Sequence, residues 1–206
     1  MKTFSQIISF LFHPLLMVTY GMILVLHFTY LTLYPDKAKW MIIAGTFIST
    51  GIVPGLFILL LIRTGAISGI DIDNRKERAI PYLIIIMSIL ICAYYLHRVN
   101  IPAWLLAILI GACIALLIAL FINFFWKISA HTIGIGGLLG GVMGVSRLLL
   151  LNPYWAFMLL FVLTGLVAAS RIYLQKHTPL QTYAGALLGF MSTFTASIFS
   201  YYYLFI

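Results

Sequence analysis

Three short polar segments, each lying between long apolar runs, hold the side chains of this sequence that are best suited to chemistry. They are Ser170-Arg171-x5-His177, Ser129-Ala130-His131 and Asn74-Arg75-Lys76-Glu77-Arg78-Ala79-Ile80-Pro81. Guanidinium and ammonium groups bind phosphate oxygens, and an imidazole can attack phosphorus or transfer a proton. Because polar groups are costly next to segments that belong in lipid, these residues predict a functional site for a phosphorylated ligand.

The composition indicates a membrane protein with a single domain. Of the 206 residues, 64% are hydrophobic and only 8% are charged, whereas a soluble domain has about 25% charged residues. We therefore expect residues 1–206 to form one transmembrane domain. The net charge of +8 comes from basic residues scattered between the apolar runs. This distribution argues against nucleic acid as a partner and favours anionic headgroups or phosphorylated substrates.

The few acidic residues all lie in the first part of the chain. They are Asp36, Asp71, Asp73 and Glu77. Sites for magnesium, for calcium and for pairs of metal ions are built mainly from carboxylates, so the sequence predicts no metal and no other cofactor. The same shortage argues against glycosidase chemistry, which uses paired carboxylates.

Seven apolar runs are long enough to cross a bilayer as helices, which takes about 20 residues. They cover roughly residues 5–32, 41–63, 80–97, 102–126, 130–151, 154–174 and 180–205. The expected fold class is all-α, a polytopic bundle of six or seven transmembrane helices. His13-Pro14 is expected to kink the first run. Because the polar segments follow the second, fourth and sixth runs, all three should emerge on the same membrane face.

The charges between the runs leave the orientation in the membrane open. The face with the polar segments carries eight basic residues and the opposite face carries four, which by the positive-inside rule places the segments in the cytoplasm. Four of the eight are themselves candidate phosphate ligands, retained for chemistry rather than for topology: Arg75, Lys76, Arg78 and Arg171. Without these four, the two faces carry equal charge and the rule decides nothing.

The order and spacing of the three segments resemble the motifs of the type 2 phosphatidic acid phosphatase superfamily, Lys-x6-Arg-Pro, Pro-Ser-Gly-His and Ser-Arg-x5-His-x3-Asp. The resemblance covers residues 70–190. It implies a metal-independent lipid phosphate or lipid pyrophosphate phosphatase, in which His177 attacks phosphorus to form a phosphohistidine and His131 protonates the leaving alkoxide. It also implies a set of side chains that hold the phosphoryl oxygens: Lys76, Arg78, Ser129, Ser170 and Arg171.

The sequence departs from each of these motifs. The second lacks the proline and the glycine, the first has a shorter spacing, and Gln181 replaces the aspartate of the third. A carboxylate at that position fixes the imidazole tautomer and stabilises the cation that forms, whereas glutamine offers only a neutral acceptor. Two hypotheses are therefore open. One is a divergent phosphatase in which Gln181 orients His177, and the other is a catalytically degenerate relative that binds phospholipid headgroups or assists other membrane proteins.

Other notable residues are given structural roles. Three isolated histidines are predicted to be interfacial caps: His13, His27 and His97. The glycines of the fifth run repeat at intervals of four on one helix face, which lets a neighbouring helix approach closely. They are Gly136, Gly140 and Gly144, and Gly185 in the last run is expected to serve the same end.

Overall fold

The chain folds almost entirely into α-helix. The computed structural model describes residues 1–69, residue 72 and residues 74–204, with side chains described as far as residue 200. Nine α-helices occur in these residues: α1 (Lys2–Leu11), α2 (Met17–Phe28), α3 (Asp36–Phe47), α4 (Val53–Arg63), α5 (Ala79–Arg98), α6 (Ala103–Asn123), α7 (Ala130–Leu148), α8 (Tyr154–Tyr173) and α9 (Pro179–Leu204). No strand occurs in the described part of the chain, and the predicted all-α class is confirmed.

Six of the helical segments are long and apolar enough to cross a membrane. They are Lys2–Phe28, Asp36–Arg63, Arg75–Arg98, Ala103–Asn123, Tyr154–Tyr173 and Pro179–Ser200. The protein is therefore an integral membrane helix bundle. The remaining predicted run folds as α7, whose residues are mostly buried and which packs most extensively on α9. α7 is the central helix of the bundle, and its surroundings are largely protein.

The first membrane segment is interrupted at His13-Pro14. α1 ends at Leu11, His13 has an extended backbone (φ −65°, ψ 138°), and Pro14–Leu16 form a 3₁₀ turn before α2 begins. A proline lacks the N–H that would continue an α-helix, and its ring clashes with the preceding turn. The predicted kink is thus confirmed, and it places the His13 ring beside the start of α7.

The second membrane segment also departs from a regular α-helix. Between α3 and α4, Ile48–Ile52 form a π-helical turn, a wider turn that is frequent at functional sites. Pro54, in the first turn of α4, has no N–H to donate one turn back. No pattern in the sequence predicts this turn, which contributes to the wall of the site described below.

The contact between α7 and α9 depends on glycines from both helices. A Cβ on Gly136 would overlap the carbonyl of Ala186, and a Cβ on Gly189 would overlap the carbonyl of Ile133. Similar overlaps with backbone or side-chain atoms of the facing helix occur at three further positions: Gly140, Gly144 and Gly185. The two backbones lie closer than larger residues would permit, so the predicted role of these glycines is confirmed.

Candidate functional site

The end of α8 positions Arg171 and His177. α8 finishes in a Schellman motif, in which the N–H of Lys176 donates to the carbonyl of Arg171 (3.1 Å). Gln175 adopts the left-handed conformation that reverses the chain (φ 57°). Arg171 therefore lies in the last turn of α8, and His177 lies two residues after the reversal. The five residues between them comprise the end of the helix and this reversal, and both side chains are buried.

The start of α9 orients the His177 imidazole. Thr178 and Gln181 form a capping box, because the Thr178 N–H donates to Oε1 of Gln181 (3.2 Å) and the Gln181 N–H donates to Oγ1 of Thr178 (3.4 Å). The same Oε1 lies 3.0 Å from Nδ1 of His177. An amide oxygen only accepts, so Nδ1 is the donor and carries the ring proton. Nε2 of His177 therefore holds the lone pair that a nucleophile needs.

A 3₁₀ turn, Arg75–Arg78, carries the basic residues of the first polar segment. Arg78 points inward and is 5% exposed. Its Nε donates to the carbonyl of Ile72 and its Nη1 to the carbonyl of Ile128, both at 2.8 Å. Ile128 directly precedes the second polar segment, so Arg78 joins the first two polar segments at one place.

The second polar segment forms the start of α7. Ser129 is the N-cap, and its hydroxyl accepts the N–H of Thr132 (3.5 Å). His131 lies in the first turn, with Nε2 3.2 Å from the carbonyl oxygen of Ser9 in α1. A carbonyl only accepts, so Nε2 carries the proton and Nδ1 the lone pair. The His131 ring also meets His13 edge to face, with 5.3 Å between ring centroids.

These elements surround a cavity of about 380 Å³, called here the histidine cavity. Its polar wall contains four of the predicted site residues together with His13: Arg78, His131, Arg171 and His177. The rest of the wall is mostly apolar and comes from the break between α1 and α2, the π-helical turn, α4 and the start of α5. Sites for small ligands usually have volumes of ~300–1,000 Å³. The histidine cavity therefore suits a ligand with an anionic head and an apolar body.

The histidine cavity favours the neutral form of His177. Burial lowers the pKa of its imidazole to about 3, and the positive charges of Arg78, Lys127 and Arg171 act in the same direction, while the hydrogen bond with Gln181 opposes them. At neutral pH, His177 is an uncharged base beside two guanidinium groups. Among the described residues, no carboxylate lines the cavity, so its field favours an anionic ligand.

Three of the predicted phosphate ligands lie outside the cavity wall: Lys76, Ser129 and Ser170. Ser129 and Ser170 are buried, whereas Lys76 is exposed. The 3₁₀ turn explains the position of Lys76, because three residues per turn place Arg75 and Arg78 on one face and Lys76 on another. Arg78 is therefore the residue of the first segment that lines the cavity, and the role of Lys76 as a phosphate ligand stays a prediction.

Glu77 does not supply the carboxylate that the family motif places beside its histidine. Its Oε2 accepts the N–H of Ser68 (2.6 Å), and its Oε1 accepts from the side-chain amide of Asn74 (3.1 Å). Asp71 and Asp73, the other acidic residues of this segment, lie outside the described residues. Within the part of the chain that the structure describes, no three His, Cys, Asp or Glu side chains are grouped to hold a metal ion.

Two residues of this site, His13 and Lys127, lie outside the three sequence motifs. His13 caps the 3₁₀ turn by accepting the N–H of Leu15 (3.4 Å), as expected for a cap, but it also lines the histidine cavity. The proline that follows His13 is the sequence feature that could have indicated this role, because a break in an apolar helix exposes backbone and side chains to the bundle interior. Lys127 acts electrostatically on His177, and its only signal was its position two residues before Ser129.

Comparison of the chain with known family models, with curated proteins and with solved structures finds no match. The fold and the site therefore define the class of this protein by themselves. It is an integral membrane helix bundle in which histidines and arginines from separate segments line one largely apolar cavity.

Proposed function

We propose that this protein binds a phosphorylated membrane lipid and hydrolyses its phosphate ester or pyrophosphate through a phosphohistidine at His177. The main support for the proposal is the protonation and orientation of the His177 imidazole. Its Nδ1–H is held by Gln181 at 3.0 Å, which leaves Nε2 unprotonated in a cavity that also contains Arg78 and Arg171. A neutral, oriented base beside fixed cations meets the requirements for attack on a phosphate.

In the first step, the Nε2 lone pair of His177 forms a bond to phosphorus, and the bond from phosphorus to the lipid oxygen breaks. The guanidinium groups of Arg78 and Arg171 stabilise the charge on the oxygens of the transferring group. The proton on Nδ1 stays on the ring, so the phosphorylated imidazole is cationic at nitrogen. Gln181 stabilises that cation only through the dipole of its amide.

His131 is the proton donor to the leaving lipid oxygen in this proposal. Its Nε2–H is engaged by the Ser9 carbonyl, so the proton that moves is one on Nδ1. The ring takes up that proton from solvent water when a phosphate dianion enters, because a nearby negative charge favours the imidazolium. In the second step, water attacks phosphorus, His131 accepts a proton from it, and inorganic phosphate leaves His177. The net reaction adds one water across the P–O bond.

The apolar part of the cavity wall supports a lipid, rather than a small soluble ester, as the substrate. The resemblance to type 2 phosphatidic acid phosphatases implies four candidate substrates: phosphatidic acid, phosphatidylglycerol phosphate, undecaprenyl pyrophosphate and lipid A phosphate. These are lipids of bacterial envelopes, and on that ground we place the protein in the bacterial cytoplasmic membrane.

Two observations favour a second candidate function, a non-catalytic protein that binds phospholipid headgroups or assists other membrane proteins. Gln181 brings no negative charge to His177, and an amide in place of the carboxylate lowers the rate of serine proteases by about 10⁴. Arg78 also donates to two backbone carbonyls, which gives it a structural role. Such a protein would bind phosphate at Arg171 without turnover.

The deciding experiment measures phosphate release from vesicles that contain each candidate lipid and the purified protein, in the presence of EDTA. The wild type should release phosphate, and His177→Gln should abolish release. His27→Gln is the matched control, because His27 is exposed and its Nδ1 lies 2.7 Å from the Ile23 carbonyl oxygen of its own helix. Equal release by wild type and His177→Gln would refute the assignment. No release, with lipid binding that depends on Arg171, would establish the second candidate.

A further inference from the structure

A second, largely apolar cavity adjoins the histidine cavity inside the bundle. It has a volume of about 110 Å³ and lies mainly between α2, α5, α6 and α7, and we call it the apolar slot. Four residues line both cavities: Pro14, Tyr82, Ile85 and Ala130. The apolar slot is therefore a continuation of the site rather than a separate packing defect.

The residues that line the apolar slot extend over several turns of two helices. Its wall on α6 runs from Leu105 to Leu116, and its wall on α7 runs from Ala130 to Val142. At a rise of 1.5 Å per residue, the α6 stretch is roughly 16 Å long, about half the thickness of a bilayer core of ~30 Å. A small volume spread over this length has the shape of an extended alkyl chain.

Small residues keep the apolar slot open. Gly137 and Ala112 both line it, and the atoms nearest to a Cβ on Gly137 would be Cγ2 of Thr193, at 3.5 Å, and the carbonyl oxygen of Gly189, at 3.8 Å. These are ordinary van der Waals distances, unlike the overlaps with the α9 backbone at Gly136 and Gly140. Helix packing therefore requires glycine at Gly136 but not at Gly137, where the missing side chain leaves space in the slot.

Tyr82 marks the junction of the two cavities. Its side chain is 3% exposed. The Arg78 guanidinium acts on the Tyr82 hydroxyl by its charge and as a hydrogen-bond donor, but among the described residues no group accepts the hydroxyl proton. A buried hydroxyl without an acceptor is destabilising and calls for a group that is not part of the protein. A phenol at this position can donate to an oxygen that links a phosphate to its hydrocarbon body.

We infer that the apolar slot binds one hydrocarbon chain of the lipid whose phosphate lies at His177, with the Tyr82 hydroxyl donating to the linking oxygen. The position of the phosphate in this inference rests on the proposed function. The headgroup and one hydrocarbon chain of the lipid then lie inside the helix bundle, while the rest of the lipid stays in the bilayer. Chain length and shape, as well as the headgroup, thereby determine which phosphates the protein accepts.

The first test compares butyl, octyl and dodecyl phosphate as substrates of the protein in nanodiscs. The wild type should prefer the longer chains. Ala112→Leu and Gly137→Ala should reduce the preference for dodecyl over butyl phosphate by about tenfold, roughly the worth of two buried methylenes, with little change for butyl phosphate. Gly165→Ala is the control, since a Cβ there meets nothing within 4 Å. An unchanged preference in both slot variants would overturn the inference.

The second test does not need turnover or a variant. Dodecyl phosphate with a photoreactive diazirine at the chain end is crosslinked to the wild type, and the labelled peptides are mapped. Labels on the stretches of α2 and α6 that face the apolar slot, around Val18 and Ala112, support the inference. Labels confined to exposed residues such as Phe57 and Phe161 overturn it. Failure of the proposed function is seen separately, as absence of phosphate release from all three alkyl phosphates.

Discussion

Replacing Gln181 with glutamate adds a negative charge beside His177 with almost no change of shape. A carboxylate oxygen would take the place of Oε1, 3.0 Å from Nδ1 of His177. Two unit charges at this separation attract by about 5 kcal/mol at an effective dielectric constant of ~20, which corresponds to about four pKa units. The pKa of His177, now about 3, should then rise to about 7. Glutamate also fits the capping box with Thr178, so the fold should be retained.

Gln181→Glu should lower kcat/KM below pH 7 and raise it above pH 7. Below the new pKa, His177 is protonated and cannot attack, so kcat/KM should fall about tenfold per pH unit. Above it, the carboxylate stabilises the cationic phosphorylated ring, and the rate should rise by up to ~10⁴, the effect of the equivalent exchange in serine proteases. The assay is the pH profile of kcat/KM on one lipid phosphate. Titration of ¹⁵N-histidine-labelled protein by NMR, with His177→Gln for assignment, gives the pKa without turnover.

Gln181→Leu is the control for this experiment, because it removes the acceptor and adds no charge. It should lower activity without introducing a new acid limb near pH 7. Identical pH profiles for the wild type and Gln181→Glu, together with an unchanged histidine titration, would refute the argument that Gln181 orients the attacking imidazole.

Three further outcomes follow from the geometry. Gly136→Ala should lower the free energy of unfolding in detergent by roughly 1–3 kcal/mol or more, because the added Cβ overlaps the α9 backbone. A loss no larger than that caused by Gly165→Ala would contradict the close contact between α7 and α9. Lys76→Ala should change phosphate release less than about twofold, whereas Lys127→Ala should raise both KM and the pKa of His177. A larger effect on KM from Lys76→Ala than from Lys127→Ala would show that Lys76 is the phosphate ligand. The pKa of His177 is about 3 in the folded protein, against an ordinary value of 6.5. Between these pH values the unfolded chain therefore binds more protons than the folded protein. The free energy of unfolding should then fall as pH drops from 6.5 towards 3. His177→Gln should flatten that loss, and an unchanged acid profile would show that the group does not titrate as described.

The membrane segments of this fold could be predicted because long apolar runs leave few alternatives to helix in lipid. Prolines also mark several helix starts in the sequence, such as Pro102 before α6 and Pro153 before α8. The π-helical turn was not predictable in the same way, because it depends on how the second segment packs. The central position of α7 was likewise hidden, although its glycine spacing did indicate close contact with another helix.

The site was predictable where the chain itself sets the geometry. Arg171 and His177 line the same cavity because a helix end and a chain reversal separate them and a capping box follows His177, and each of these is a local structure. Arg78 is directed into the cavity by its hydrogen bond to the distant Ile128 carbonyl. Local spacing does not reveal this contact, so the sequence could not show which of Lys76 and Arg78 lines the cavity. His13 reaches the cavity only through the tertiary contact between α1 and the start of α7, so it too lay beyond the sequence pattern.

The most direct test of the phosphohistidine mechanism is to trap the intermediate. The protein is incubated with a lipid phosphate labelled with ³²P, quenched in base, in which phosphohistidine is stable, and mapped by peptide. The mechanism predicts label on the peptide that contains His177, slower labelling in His131→Gln because the leaving lipid oxygen loses its proton donor, and no label in His177→Gln. Label on any other residue, or steady phosphate release from a protein that carries no label at His177, would contradict it.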